Sequence, residues 1–161
     1  MTSAEHAVDP AARLQHALDL GYRYLGFRDR TEAEMRRHLE SKRVEPDTID
    51  QAVAELERQE YLDDARFAQR YAEDRRNLDA WGADRIARKL RAAGIGPDLI
   101  AGALSAQGVA DELGAATDLL RRRFREPPAS ERDRDRALGL LVRKGYDLEL
   151  AYDAVRAFER G

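Results

Sequence analysis

Basic side chains in the middle and C-terminal parts of the chain are the residues best suited to chemistry. The planar guanidinium of arginine binds carboxylates and phosphates through paired hydrogen bonds, and lysine offers a compact cation. The candidates for partner binding are Arg75, Arg76, Arg85, Arg88, Lys89, Arg91, Arg143 and Lys144. This set predicts electrostatic binding of an acidic protein surface or of nucleic-acid phosphates. The alternative is that these are solvated helix faces whose charges pair with acids four residues away.

Catalytic chemistry finds no support in the residue pattern. The sequence has no glycine-rich phosphate loop, no nucleophile elbow and no histidine beside a nucleophile. The adjacent pair Asp63 and Asp64 stands at a predicted helix start, where a short carboxylate caps free backbone N–H groups. With no cysteine and three scattered histidines, thiolate sites are excluded and a zinc site is not expected. We therefore predict no catalytic residue, no metal and no cofactor.

Composition points to a helical protein without an overall basic character. The 161 residues are 43% apolar and 37% charged, and 28 basic residues against 31 acidic ones leave a net charge of −3. That balance does not favour a general nucleic-acid-binding protein. No apolar run is long enough to cross a bilayer, and the first residues do not resemble a signal peptide. We expect a disordered leader at 1–10, no membrane contact and a cytoplasmic location.

Helical periodicity and capping residues divide the chain into nine predicted helices. Thr31 and Glu34 form a capping box, and Pro46 and Pro97 suit the first residue of a helix. The predicted spans are about 11–27, 31–42, 46–59, 64–77, 82–93, from 97 to beyond 104, 112–125, 132–144 and 148–158.

A period of 51 residues relates these helices. Leu39, Leu90 and Leu141 are each 51 positions apart, and Val53, Leu104 and Val155 repeat the same spacing. The period predicts three tandem three-helix repeats, at 11–61, 62–110 and 111–161. Units of about fifty residues are near the lower limit for independent stability, so neighbouring units must bury surface against each other. We predict an all-α fold in an elongated, curved array, although any string of amphipathic helices shows some self-similarity.

The turns inside each predicted repeat also suggest a helix-turn-helix. Against this alternative, the segment 97–107 carries no basic residue, so its side chains are poorly suited to reading bases.

Three segments resemble the RecX family, regulators of the bacterial recombinase RecA. They are TEAEMRRHLESK (31–42), YLDDARFAQRYAEDRRN with WGADRIARKLRAAGI (61–77 and 81–95), and RALGLLVRKGYDLELAYDAV (136–155). The middle segment is the most specific, because an acidic cap, an aromatic pair, a glycine joint and K-L-x-x-x-G-I follow in order. Two positions depart from the pattern: Arg43 replaces a glycine-like turn residue, and Leu140 stands where an aromatic is expected.

The resemblance implies tandem three-helix repeats and a non-enzymatic regulator that acts in DNA repair, recombination and the SOS response. Such a protein binds along the groove of the RecA–single-stranded DNA filament and inhibits ATPase activity and strand exchange. The basic residues named above would contact acidic recombinase surface or DNA phosphates, and we expect a monomer. The alternatives are a direct DNA-binding protein of the helix-turn-helix type and a repeat adaptor for another helical partner.

Overall fold

The computed structural model describes residues 9–161, and within them every regular element is a helix. The helices are α1 (Pro10–Leu25), α2 (Glu32–Ser41), α3 (Pro46–Arg58), α4 (Asp64–Asp79), α5 (Ala83–Ala92), α6 (Pro97–Ser105), α7 (Val109–Arg123), α8 (Glu131–Lys144) and α9 (Leu148–Arg160). The all-α prediction is confirmed, and most predicted helix ends lie within two residues of these. Residues 1–8 of the predicted leader lie outside the described residues, whereas Asp9 and Pro10 belong to the start of α1.

The chain forms two compact units. The first unit runs to Phe67 and also includes Ala93–Ile95, and the second holds Ala68–Ala92 and Gly96–Gly161. The three-repeat boundaries, and the elongation and curvature of the array, stay predictions.

The core of the first unit lies where α1, α2 and α3 meet. Met35 and Leu39 from α2 are fully buried, and they pack with Val53 and Leu56 from α3. Their spacings of four and three place them on one helix face, which is why the sequence predicted them as inward.

The second unit has its main core among α7, α8 and α9. Leu120, Leu141, Val155 and Phe158 lie within it, each 5% exposed or less. In the same unit α5 buries Ile86 and Leu90 and leaves its opposite face to solvent.

The first turn of α2 is held by groups from distant parts of the chain. Thr31 completes the predicted capping box with Glu34, since its Oγ1 accepts from Glu34 N (3.1 Å) and its N–H donates to Glu34 Oε1 (3.0 Å). The same Oγ1 donates to Ala93 O at 2.6 Å, and Glu32 N donates to Asp64 Oδ1 at 2.9 Å. Burial alone would raise the pKa of Glu34, but hydrogen bonds from Arg28 and from Thr31 lower it below its usual value.

The start of α2 is thus hydrogen-bonded to a distant turn of the chain, and we call this arrangement a junction. A second junction lies 51 residues later, at the start of α5 inside the second unit. Gly82 N donates to Lys144 O (2.8 Å), and Asp84 N donates to Gly145 O (3.0 Å). A carboxylate again serves the first turn, as Ala83 N donates to Glu112 Oε1 at 3.1 Å. Gly82 corresponds to Thr31, and Lys144 to Ala93, at the 51-residue spacing. The period in the sequence is therefore also a period in hydrogen bonding.

Backbone shape at the junctions explains the departure at Arg43. Gly94 and Gly145 have φ of 85° and 98°, a left-handed conformation in which glycine is favoured, and Arg43 has φ of 63°. A Cβ at Gly94 would collide with the Cβ of Ala33, whereas Arg43 is exposed at the surface. Arginine is tolerated at this position because its side chain is exposed, so the positive φ is the main cost of placing it there.

Replacing Thr31 with valine is expected to lower the free energy of unfolding by about 2–4 kcal/mol. The change keeps the side-chain shape but removes the helix cap and leaves the carbonyl of Ala93 without its donor. Urea unfolding followed by circular dichroism measures the loss. Ser130→Ala is the control, because Ser130 caps α8 at an exposed site. A loss no larger than the control's would show that the contact with Ala93 contributes nothing.

Candidate partner-binding surface

Helix α5 presents a basic face opposite its buried one. Arg88, Lys89 and Arg91 are exposed, while Ile86 and Leu90 on the other side are fully buried. The hydrophobic spacing of α5 thus determines which way its cations point.

A groove of about 630 Å³ lies between α5 and α8. Its lining is Arg85, Arg88, Lys89, Ala92, Val142 and Arg143. Since four of these six side chains are cationic and none is a carboxylate, the groove suits an anionic ligand surface. We call it the basic groove.

The exposed cations of this surface keep their charge available. Within residues 9–161, Arg88, Lys89, Arg91 and Arg143 form no ion pair with a carboxylate. By contrast, Arg36 on α2, also in a basic part of the sequence, pairs with Glu32 at 3.1 Å and Asp50 at 2.6 Å. The reading of these charges as internal pairs therefore fits α2 and does not fit α5.

Arg85 is fixed at one end of the basic groove. Its guanidinium lies 4.0 Å from the centre of the Trp81 ring, and its Nη1 donates to Arg143 O at 3.2 Å. A cation over an aromatic face is attracted by the ring electrons and held in one orientation. Trp81 therefore packs inside the second unit, the role its sequence position favoured.

Three of the predicted binding residues are used inside the second unit instead. Arg75 pairs with Asp79 at 2.6 Å, and Lys144 Nζ donates to Asp79 O at 2.9 Å. Arg76 Nη2 donates to Ala103 O at 3.1 Å, and burial lowers the pKa of its guanidinium. That these three residues contact a partner stays a prediction. Their charged groups already bind protein atoms, so they are less available to a partner than those of Arg88 or Lys89.

A second basic groove, of about 370 Å³, shares Arg143 with the first. It is lined by Arg123, Phe124, Arg132, Asp135, Arg136, Leu140 and Arg143. Arg123, Arg132 and Arg136 were not among the predicted binding residues. Arg123 belongs to the arginine-rich run at 121–125, at the end of α7, whereas Arg132 and Arg136 lie on α8, the helix that also carries Arg143. Phe124 supplies an aromatic next to Leu140, the position where the resemblance expected one.

Family models and relatives agree with this architecture. A model described as "RecX, first three-helix domain" matches residues 17–56, and one described as "RecX, second three-helix domain" matches 63–104. A protein named Regulatory protein RecX from Trichlorobacter lovleyi is 37% identical over 132 residues, covering 80% of this chain and 86% of the relative. The chain belongs to the RecX family. The resemblance predicted from the three segments is confirmed.

Further relatives extend the match over nearly the whole chain. Regulatory protein RecX from Mycolicibacterium smegmatis is 32% identical over 158 residues, covering 94% of this chain and 84% of the relative. A crystal structure of RecX from Lactobacillus salivarius superposes with a TM-score of 0.82 at 17% identity, covering 94% of this chain and 99% of the other. At that identity the likeness concerns the fold, and it agrees with a tandem helical repeat of RecX type.

The described part of the chain has neither a membrane-spanning helix nor a cluster of metal ligands. None of its helices combines the length and apolar character needed to cross a bilayer. No three histidine, aspartate or glutamate side chains in residues 9–161 are grouped so as to hold a metal ion.

Proposed function

We propose that this chain is a regulator, not an enzyme, that binds the RecA–single-stranded DNA filament and inhibits its ATPase activity and strand exchange. The observation that carries the proposal is the basic groove, in which Arg88, Lys89 and Arg143 have no carboxylate partner among residues 9–161. Membership of a family whose relatives are named regulatory proteins gives this surface its context. The proposal places the protein in DNA recombination, repair and the SOS response, as a cytoplasmic monomer.

Electrostatics explains how such a groove engages a filament. Unpaired cations on one face steer an acidic surface toward it and raise the association rate. Because α5 and α8 are fixed by the junction at Gly82, the helix positions that carry the cations are set before binding. Little side-chain ordering is then needed beyond the arginine and lysine tips.

Reversing three of these charges is expected to remove inhibition. In the variant Arg88→Glu, Lys89→Glu, Arg143→Glu, the groove would repel the acidic surface that it binds in the proposal. We expect the concentration for half-inhibition of recombinase ATPase on single-stranded DNA to rise at least about 100-fold, since three like-charge contacts each cost one to several kcal/mol. Strand-exchange assays provide the second readout.

The matched control reverses three other arginines that lie outside the groove. Arg58 and Arg156 are exposed and Arg13 is half-buried, and the three already pair with Glu55, Asp153 and Glu45, in that order. Changing them to glutamate alters the net charge equally, and the surface ion pairs that are lost contribute little to stability because solvent screens them. Inhibition should survive in this control. Full inhibition by the groove variant, with its helical content unchanged, would exclude the groove as the filament contact.

Direct binding of nucleic acid is the second candidate function, and the free cations of the two basic grooves favour it. Helix α6 carries no basic side chain, so the contact would be with phosphates and not with base edges. Fluorescence anisotropy with a labelled oligonucleotide, without recombinase, tests it. The logarithm of the binding constant should fall with the logarithm of salt by about 0.7 for each phosphate contacted on a single strand. No binding at low salt would eliminate this candidate.

A further inference from the structure

A third groove, distinct from the two basic grooves, lies beside α5 and combines cations with exposed aliphatic side chains. It has a volume of about 540 Å³ and is lined by Asp84, Ala87, Arg88, Arg91, Val142, Gly145, Tyr146 and Leu148. Arg88 and Val142 also line the basic groove, so the two grooves adjoin. We call this one the mixed groove.

The aliphatic residues of the mixed groove are unusual for their helices. Val142 on α8 is 45% exposed and Leu148 at the start of α9 is 53% exposed, although Leu141 and Leu150 next to them in α8 and α9 are buried. A single exposed apolar residue on a surface has no special meaning. Here two of them line the same groove, next to Arg88 and Arg91, which carry no ion pair within residues 9–161.

This lining discriminates between nucleic acid and protein. Phosphates would bind the two arginines, but the aliphatic side chains of Val142 and Leu148 would then face polar sugars and water and gain no apolar partner. Bases bind by stacking on aromatic faces. The aromatic ring in the groove is that of Tyr146, which is 3% exposed and donates its hydroxyl to Ala80 O at 2.9 Å. Burial raises the pKa of Tyr146 to about 12, so its hydroxyl stays neutral.

We infer that the mixed groove binds an acidic protein segment that inserts an aliphatic side chain between Val142 and Leu148 and places carboxylates on Arg88 and Arg91. Resting on the function proposed above, this inference assigns the segment to the recombinase and not to the DNA. An apolar anchor surrounded by charge pairs is a common way for a helical segment to bind a groove. Asp84, the carboxylate in the lining, would repel the acids of the bound segment. It therefore favours the orientation in which those acids lie on the arginines.

The variant Val142→Ala, Leu148→Ala tests the inference, because it removes the aliphatic surface and leaves every charge in place. Alanine is a strong helix former, so α8 and α9 should persist. We expect the concentration for half-inhibition of recombinase ATPase to rise about tenfold or more. Binding to a labelled single-stranded oligonucleotide should change less than twofold. The control is Leu78→Ala, Val109→Ala, which trims two aliphatic residues that are 74% and 77% exposed and lie outside the groove.

Each outcome has one meaning. If the variant Val142→Ala, Leu148→Ala inhibits as strongly as the unmodified protein, the inference is overturned while the proposed function stays intact. A tenfold loss of oligonucleotide binding would overturn it in favour of a nucleic-acid surface. If the unchanged protein neither inhibits nor binds the recombinase filament, the proposed function fails and the inference fails with it.

Salt separates the two parts of the contact. Screening weakens the arginine contacts but not the burial of aliphatic surface. The loss caused by Val142→Ala, Leu148→Ala should therefore persist at high salt, while the loss caused by Arg88→Ala, Arg91→Ala should shrink. Equal salt dependence of the two variants would contradict an apolar anchor.

Discussion

Replacing Gly145 with alanine is expected to lower the free energy of unfolding by at least about 3 kcal/mol. Gly145 has φ of 98°, which strains any residue with a Cβ. An added Cβ would also lie 2.6 Å from Arg85 N and 2.9 Å from Arg85 Cα. These are atoms of a helix backbone, which cannot move aside as a side-chain tip can. The junction that holds the start of α5 would therefore have to open.

The matched controls are two glycines at which an added Cβ would have open space. Gly102 in α6 and Gly114 in α7 have no atom within 4 Å of an added Cβ. Alanine there should stabilise by about 0.5–1 kcal/mol, because glycine in a helix interior costs backbone entropy. Trp81, the single tryptophan, lies next to the junction, so its fluorescence reports the opening directly. If the Gly145→Ala protein is as stable as the Gly114→Ala protein, Gly145 does not pack closely against the start of α5.

Replacing Leu90 with alanine is expected to cost about 2–5 kcal/mol. Leu90 is 0% exposed and lies on the same face of α5 as Ile86, which is also fully buried. Truncation removes apolar contacts and leaves a cavity that the surrounding helices fill only in part. Leu39 and Leu141, at the same place in the 51-residue period, are equally buried, so the same change at either should cost a similar amount.

Two comparison variants show whether the Leu90 effect comes from lost volume. Leu90→Met keeps most of the volume and should cost less than about 1.5 kcal/mol. Leu78→Ala alters a leucine that is 74% exposed and should change stability by about 0.5 kcal/mol or less. Urea unfolding measures all three. If Leu90→Ala is no worse than Leu78→Ala, the hydrophobic period does not mark the core.

Local features of the chain were predictable from sequence because their causes are local. The capping box of Thr31 and Glu34 spans four residues, and the prolines at 46 and 97 start helices through their own fixed φ. The spacing of Leu39, Leu90 and Leu141 depends on the helical turn alone. Each of these features is present in the structure, and the RecX resemblance carried by the same segments is confirmed.

The junctions needed the tertiary structure. Thr31 was predicted to cap its own helix, but nothing in the sequence shows that its hydroxyl also donates to Ala93 O, 62 positions away. The sequence predicts that Asp64 caps α4. Asp63 Oδ1 accepts from Arg66 N near the start of α4, whereas Asp64 accepts from Glu32 N at the start of α2. Burial raises the pKa of Asp64 above its usual value, an effect that depends on what packs around it.

The sequence by itself determined that the protein is an all-helical repeat of the RecX family, with a surplus of basic side chains on particular helices. Only the tertiary structure decided which of those cations are free. Arg76 and Arg88 look alike in the sequence, yet Arg76 donates to the end of α6 while Arg88 lines two grooves. The physical reason is that hydrophobic spacing follows from one helix alone, whereas the availability of a charge depends on which carbonyls and carboxylates other helices bring within a few ångströms.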